Sequence, residues 1–133
     1  MYKGIPQNDI GLRTDVLDNV PKYEGMKMLI RSMSPKVIAA DEIGGENEIE
    51  QINYALCSGI KGIFTAHGAS LEEISINPTL KKLLNLNIFE RIVFLEDTDK
   101  KAQIKNVYTL NKKTSEYVLM KDYEGNDIKN VSY

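Results

Sequence analysis

Apolar residues recur along this chain at two spacings, and the wider spacing predicts its helices. A stripe with steps of three and four residues predicts a first helix over about residues 21–34. This stripe consists of Met26, Leu29, Ile30 and Met33. Pro21 suits the first turn of this helix, and Pro35 is expected to close it.

A second stripe predicts another helix, which follows the turn at Gly44-Gly45 and ends near Gly59. This stripe consists of Ile49, Ile52 and Leu56. Asn47 and Glu50 have the spacing of a capping box at its start. Cys57, near its end, is expected to be a small core residue.

Two capping patterns predict further helices. Ser70 and Glu73 have the S-x-x-E spacing that caps a short third helix. Asn77-Pro78 is typical of a helix start and predicts a fourth, with an apolar stripe over the leucines that follow.

The strands are predicted by short continuous apolar runs. One run lies within residues 36–42, a second covers residues 61–66, and Arg91–Leu95 is a third. Because these runs alternate with helices, we expect an α/β core with a mainly parallel sheet flanked by helices.

From residue 100 the pattern changes to that of a β-hairpin. Residues 104–110 and 115–120 predict two strands, joined by the turn Asn111-Lys112-Lys113-Thr114. The predicted organisation is a loop-rich entry segment (1–20), a core (21–99), the hairpin (100–121) and a polar tail (122–133).

Composition and charge narrow the classes of function. The 133 residues fit one domain. The formal charge of -2 gives no electrostatic reason to expect direct binding to nucleic acid. The sequence has one cysteine, no signal peptide, and no apolar stretch near the roughly 20 residues that cross a bilayer. We therefore expect a cytoplasmic protein without a transmembrane segment, which reaches membranes through partners.

The first predicted strand is followed by two acidic residues that could act in catalysis. Residues 36–42 read Lys-Val-Ile-Ala-Ala-Asp-Glu, an apolar run followed by two adjacent carboxylates, which is typical of a Walker B strand. In P-loop ATPases such a buried parallel strand brings one carboxylate to Mg²⁺ and the next to the attacking water. The G-x-x-x-x-G-K-[ST] loop that would hold the phosphates is absent from the sequence. The pattern therefore predicts half of an ATPase site.

Five stretches in this order resemble the stage III sporulation protein AA family, over roughly residues 4–97. They are Gly11-Leu12-Arg13-Thr14-Asp15-Val16-Leu17-Asp18, Glu24-Gly25-Met26, Ile30-Arg31-Ser32-Met33-Ser34-Pro35, Asp41-Glu42-Ile43-Gly44 and Thr65-Ala66-His67-Gly68. The combination is specific, whereas each stretch alone is a weak signal.

The resemblance implies a partial RecA-like P-loop NTPase core of the secretion ATPase kind. It implies a hexameric ring that uses ATP and Mg²⁺ at the mother-cell face of a channel to the forespore, with the membrane channel proteins of the sporulation complex as partners. Members of the family carry the Walker A loop upstream of the matched region. We therefore expect this chain to be a C-terminal part of such a protein, inactive and without tightly bound nucleotide by itself.

The same resemblance assigns roles to the strand-end carboxylates. Asp41 stands where the family's metal carboxylate falls and would hold Mg²⁺ through a water molecule. Glu42 would orient or polarise the attacking water. Without the preceding apolar run, both would be read as solvated charges where a strand meets a loop.

Three further residues complete the predicted site. His67, the single histidine of the sequence, lies in a stretch that resembles the His box of secretion motors, which senses or stabilises the γ-phosphate. Thr65 begins that stretch and is expected to bind the nucleotide. Arg13 would supply a guanidinium to the nucleotide, in its own site or across a subunit boundary. Pairing of Arg13 with Asp15 or Asp18 is an equal alternative.

Two other classes of function stay open from the sequence. One is a non-catalytic interaction module derived from a RecA-like ATPase, in which the carboxylates and the histidine are relics. The other is a RecA-like ATPase acting on DNA, which the acidic balance disfavours.

Overall fold

A computed structural model describes residue 6, residues 8–96 and residues 103–121. The chain divides into two compact units, and the division falls between Ala66 and His67. The elements of the first unit are α1 (Lys22–Ser32), β1 (Val37–Ala40), α2 (Glu46–Cys57) and β2 (Lys61–Phe64). Those of the second are α3 (Leu71–Ile74), α4 (Pro78–Asn85), β3 (Arg91–Leu95), β4 (Ile104–Asn111) and β5 (Glu116–Lys121).

The first unit is built on a parallel pair of strands. β1 and β2 pair in the register Val37↔Lys61 to Ala40↔Phe64, with α2 as the crossover between them. Both α1 and α2 pack against the same pair of strands and against each other. The core of this unit consists of Met26, Ile38, Ile43, Ile52 and Ala55. The predicted first and second helices and the parallel pairing of these strands are confirmed.

Gly62 is required on the inner face of β2. A Cβ atom at this position would collide with the ring of Phe64 and lie 3.0 Å from Leu56 Cδ2. The absence of a side chain therefore allows α2 to pack closely over the strand pair.

β1 is buried on one face only. Ile38 is only 3% exposed, but Val37 on the other face is 52% exposed. Ile63 of β2, on the same outer face as Val37, is 65% exposed. An apolar run on its own does not distinguish burial of both faces from burial of one, and here α1 and α2 pack on the inner face.

The second unit contains an antiparallel sheet in the order β3-β4-β5. The predicted hairpin is confirmed as β4 and β5. Phe94 of β3 packs edge-on against Tyr108 of β4, with ring centroids 5.8 Å apart. The hydroxyl of Tyr117 donates a hydrogen bond of 3.2 Å to the carbonyl of Phe89.

The predicted place of β3 in the parallel sheet is wrong. β3 pairs with β4 in antiparallel register, Arg91↔Thr109 to Leu95↔Ile104. The alternation of helices and strands indicates parallel pairing only when successive strands join one sheet, and an apolar run does not encode which strand edge it will meet. The edge of the hairpin supplies that partner here.

The helix caps agree with the sequence except at α2. Ser70 Oγ accepts from Glu73 N–H at the start of α3, and Asn77 Oδ1 accepts from the N–H groups of Thr79 and Leu80 at the start of α4, as predicted. The capping box of Asn47 with Glu50 is wrong, because α2 begins two residues earlier, with Gly45 as its N-cap.

Other local predictions have mixed outcomes. Gly59, with φ +87°, ends α2 as predicted. Cys57 is exposed and is not a core residue, because it is the last residue of α2, where the helix ends at the surface. No helix or strand lies in residues 8–20. The predicted boundary between residues 99 and 100 and the predicted tail 122–133 lie outside the described residues.

Among the residues described, no helix has both the length and the apolar character needed to span a bilayer.

Candidate functional site

Polar side chains follow both strands of the parallel pair where the strands end. Asp41 and Glu42 follow β1, and Thr65 follows β2. Because Ala40 is in register with Phe64, Asp41 and Thr65 occupy adjacent positions at this edge. Asp41 and Glu42 are both exposed. Open α/β sheets bind ligands at the carboxyl ends of their parallel strands, so this edge is the candidate site of the first unit.

The backbone departs from a regular ladder at Glu42. Thr65 N–H donates to the carbonyl of Ala40 at 3.2 Å, as continued parallel pairing requires. The carbonyl of Thr65, however, accepts from Ile43 N–H at 2.8 Å, while Glu42 N–H donates to Thr65 Oγ1 at 3.0 Å. One residue is thus added on the β1 side, as in a β-bulge, and bulges are frequent next to active sites.

The added residue has an uncommon conformation. Glu42 has a φ of 45°, in the left-handed region that residues with a Cβ atom rarely adopt. The turn it makes leaves Asp41 and Glu42 exposed and returns Ile43, which is 7% exposed, to the core. The two carboxylates therefore stand outside the packed part of the unit on a backbone that is anchored on both sides.

Lys22 and Glu48 contact this turn. Lys22 Nζ donates to the carbonyl of Glu42 at 2.9 Å and lies 3.9 Å from Glu48 Oε1. Glu48 Oε2 accepts from the N–H groups of Gly44 and Gly45, at 2.9 and 3.1 Å. A carboxylate at this position also matches the positive end of the α2 dipole.

The sequence analysis missed both residues. The position of Glu48, three residues after Gly45, is a readable capping signal once the helix start is placed correctly. Nothing in the sequence points to Lys22, because its contact with Glu42 crosses 20 positions of the chain and depends on how α1 packs.

The side chains at the strand ends do not form a complete metal site by themselves. Among the described residues, no group of three or more His, Cys, Asp or Glu side chains could hold a metal ion. Mg²⁺ commonly takes one or two carboxylates and completes its shell with waters and phosphate oxygens. The exposed Asp41 can serve such an ion, directly or through water, only together with a phosphate ligand.

His67 follows Thr65 by two positions and is the first residue of the second unit. Its side chain is exposed. The next residue, Gly68, has φ +151°, and a Cβ atom there would collide with the side chain of Ile74. Both the backbone conformation and the close Ile74 side chain therefore require a glycine at position 68. The predicted approach of His67 to the carboxylates stays a prediction.

Arg13 lies in an exposed turn of the entry segment. Within the described part of the chain it forms no ion pair with Asp15 or Asp18, so the alternative pairing is not observed. Its proposed contact with a nucleotide stays a prediction.

Comparison of the sequence with known proteins identifies a family and a relative that it resembles. The family model described as "Sporulation stage III, protein AA" matches residues 1–115. Over 106 residues the chain is 40% identical to stage III sporulation protein AA of Bacillus subtilis (strain 168), an alignment that covers 80% of this chain and 34% of that protein. The chain therefore spans about a third of the length of this curated relative. No solved structure matches the chain.

Proposed function

This chain belongs to the sporulation stage III protein AA family, and we propose that it carries the metal and water-activating side of an ATP-hydrolysing site. The observation that supports this most strongly is the turn after β1, where two exposed carboxylates are held by an anchored, left-handed Glu42. Residues in such sparsely populated conformations concentrate at functional sites, because the strain persists only where surrounding contacts hold it.

Each residue of the strand-end site has a role in the proposal. Asp41 would hold Mg²⁺ through a water molecule, and the ion, when bound, would neutralise phosphate charge. Glu42 would accept a hydrogen bond from the attacking water and orient it towards the γ-phosphate. Thr65, whose hydroxyl receives the Glu42 N–H, would keep that carboxylate at the edge of the nucleotide.

His67 and Arg13 complete the proposal from outside the strand-end turn. His67 would contact the γ-phosphate, and Arg13 would place a guanidinium against the phosphates in its own or a neighbouring subunit. The loop that binds the phosphates would come from a part of the protein corresponding to the length of the relative that this chain does not match.

The assembly is also part of the proposal. A hexameric ring at the cytoplasmic, mother-cell face of a membrane channel would use ATP hydrolysis to energise assembly or transport between mother cell and forespore. Membership of the sporulation stage III protein AA family supports this proposal. The net charge of -2 gives no support to a nucleic-acid substrate.

A hybrid protein tests the role of Glu42. The matched region of the Bacillus subtilis relative is exchanged for this chain, and phosphate release from Mg-ATP is measured for the hybrid and for the unaltered relative. Glu42→Gln should lower kcat by about 100-fold or more, because removal of a group that activates water typically costs that much, while the KM for ATP changes little.

Glu50→Gln is the matched control, since Glu50 is an exposed carboxylate of α2 in the same unit. It should leave turnover within about twofold of the hybrid. Undiminished turnover in Glu42→Gln, or no turnover in a folded hybrid when the relative is active, would remove the proposed role and favour the non-catalytic interaction module.

A further inference from the structure

The conformation of Glu42 requires support from its surroundings. A non-glycine residue in the left-handed region is strained and persists where neighbouring groups over-determine it. At φ 45°, both backbone polar groups of Glu42 are engaged by side chains from elsewhere in the unit. Thr65 receives the N–H, and Lys22 donates to the carbonyl.

Lys22 is itself fixed in place. It is the first residue of α1, and its side chain is 32% exposed, while that of Glu48 is 13% exposed. Glu48 in turn accepts two backbone N–H groups from the turn that follows Glu42. The ammonium group is therefore held between the carbonyl on one side of the turn and a carboxylate bound to the other side.

The two contacts of Lys22 differ in strength. The ion pair with Glu48 has a separation of 3.9 Å and is partly exposed, so solvent weakens it. The bond to the Glu42 carbonyl is 2.9 Å long, within the range of a charge-assisted hydrogen bond. The larger effect of Lys22 is therefore on Glu42 rather than on the packing of α1 against α2.

We propose that Lys22 is a positioning residue: its ammonium group clamps the Glu42 carbonyl, keeps this residue left-handed and so sets the direction of the Glu42 carboxylate. The clamp matters for catalysis only if Glu42 acts on water, so this inference rests on the proposed function. A compact ammonium suits the task, since one carbonyl oxygen is the acceptor and no planar fork is needed.

NMR spectroscopy of this chain tests the clamp. In a left-handed residue the amide proton lies unusually close to its own Hα, so Glu42 should give a strong intraresidue NOE between these two protons. Lys22→Met keeps the apolar stem and removes the donor, Lys22→Arg restores a donor, and Lys27→Met removes an exposed lysine of the same helix.

We expect a strong Glu42 NOE in the unaltered chain, its loss in Lys22→Met, its return in Lys22→Arg and no change in Lys27→Met. A strong NOE that survives Lys22→Met, or that is lost equally in Lys27→Met, would overturn the proposal. If Lys22→Met fails to fold, Lys22→Leu, which also has no donor, replaces it. The unaltered chain provides a further test without any variant, because a weak Glu42 NOE there would also overturn the clamp.

These readouts are separate from ATP turnover. An inactive hybrid would remove the proposed hydrolysis without altering the NMR comparison. A Glu42 NOE that does not depend on Lys22 would remove the clamp while leaving the effect of Glu42→Gln on turnover intact.

Discussion

The positive φ of Glu42 is supported in a different way from the positive φ of Asn19 and Asn87. Asn19 and Asn87 belong to a type that tolerates the left-handed region, because a short polar side chain bonds locally. At Glu42 the two backbone polar groups are held by the side chains of Lys22 and Thr65. At the scale of the residue, the strand-end turn is thus maintained by side chains distant in sequence, which is how a site can hold a strained residue in one orientation.

Tyr117 gives a pH dependence that belongs to one side chain. Burial raises the pKa of its hydroxyl above the ordinary value of 10.0, and an opposing contribution from the backbone of Phe89 is smaller. The folded state therefore keeps this proton at a pH where the unfolded chain has begun to lose it. The contribution is fully present below pH 10.0 and is lost as the pH rises through the higher pKa of the folded state.

We therefore expect the urea midpoint to fall as the pH is raised above 10.0, and to fall less in Tyr117→Phe. Below that pH the variant should be less stable by about 0.5–1.5 kcal/mol, because the hydrogen bond to Phe89 is lost. An alkaline slope identical in the two proteins would show that Tyr117 does not carry this dependence.

The elements differ in how far local sequence determines them. Periodicity and capping chemistry lie within a few residues, and they predicted α1, the start of α4 and the β4–β5 hairpin. The partner of β3 and the open outer face of β1 depend on which surfaces meet in space, so the apolar runs there did not reveal them. The same reasoning applies to the candidate site. Asp41 and Glu42 were predicted from a local motif, whereas Lys22 reaches the site only because α1 packs there.

The start of α4 supplies a prediction at the scale of the element. Asn77 Oδ1 accepts two backbone N–H groups there, so Asn77→Ala should lower the free energy of unfolding of the second unit by about 1 kcal/mol. Asn77→Asp, which keeps the acceptor, should cost much less. Urea unfolding followed by the methyl NMR signals of Leu83, buried in α4, measures this.

Asn85→Ala is the control, because it changes an exposed asparagine in the last turn of α4 and leaves the cap intact. Equal destabilisation by Asn77→Ala and Asn85→Ala would contradict a specific capping role.

For the whole molecule, the balance of charge at the candidate site determines whether this chain can bind a nucleotide by itself. Asp41 and Glu42 bring negative charge, and the cation Lys22 is already engaged by Glu42 and Glu48. A triphosphate needs several backbone N–H donors or cations, which a phosphate loop supplies in ATPases. The proposed site therefore requires a further part of the protein to bind its nucleotide.

Isothermal titration of this chain with Mg-ATP should accordingly detect no binding tighter than about millimolar, because the strand-end turn leaves most of the triphosphate charge unmet. The hybrid protein titrated under the same conditions is the comparison and should bind more tightly. A micromolar dissociation constant for the chain alone would mean that it carries a complete triphosphate site.

The anchors of Glu42 come from far apart in the sequence: Lys22 lies 20 positions before it and Thr65 lies 23 positions after it. The turn can exist only while α1, β1 and β2 are all in place, so it has no local stability of its own. Opening of any one of these elements would dissolve the arrangement, and slow amide exchange at Glu42 would therefore report cooperative folding of the entire first unit.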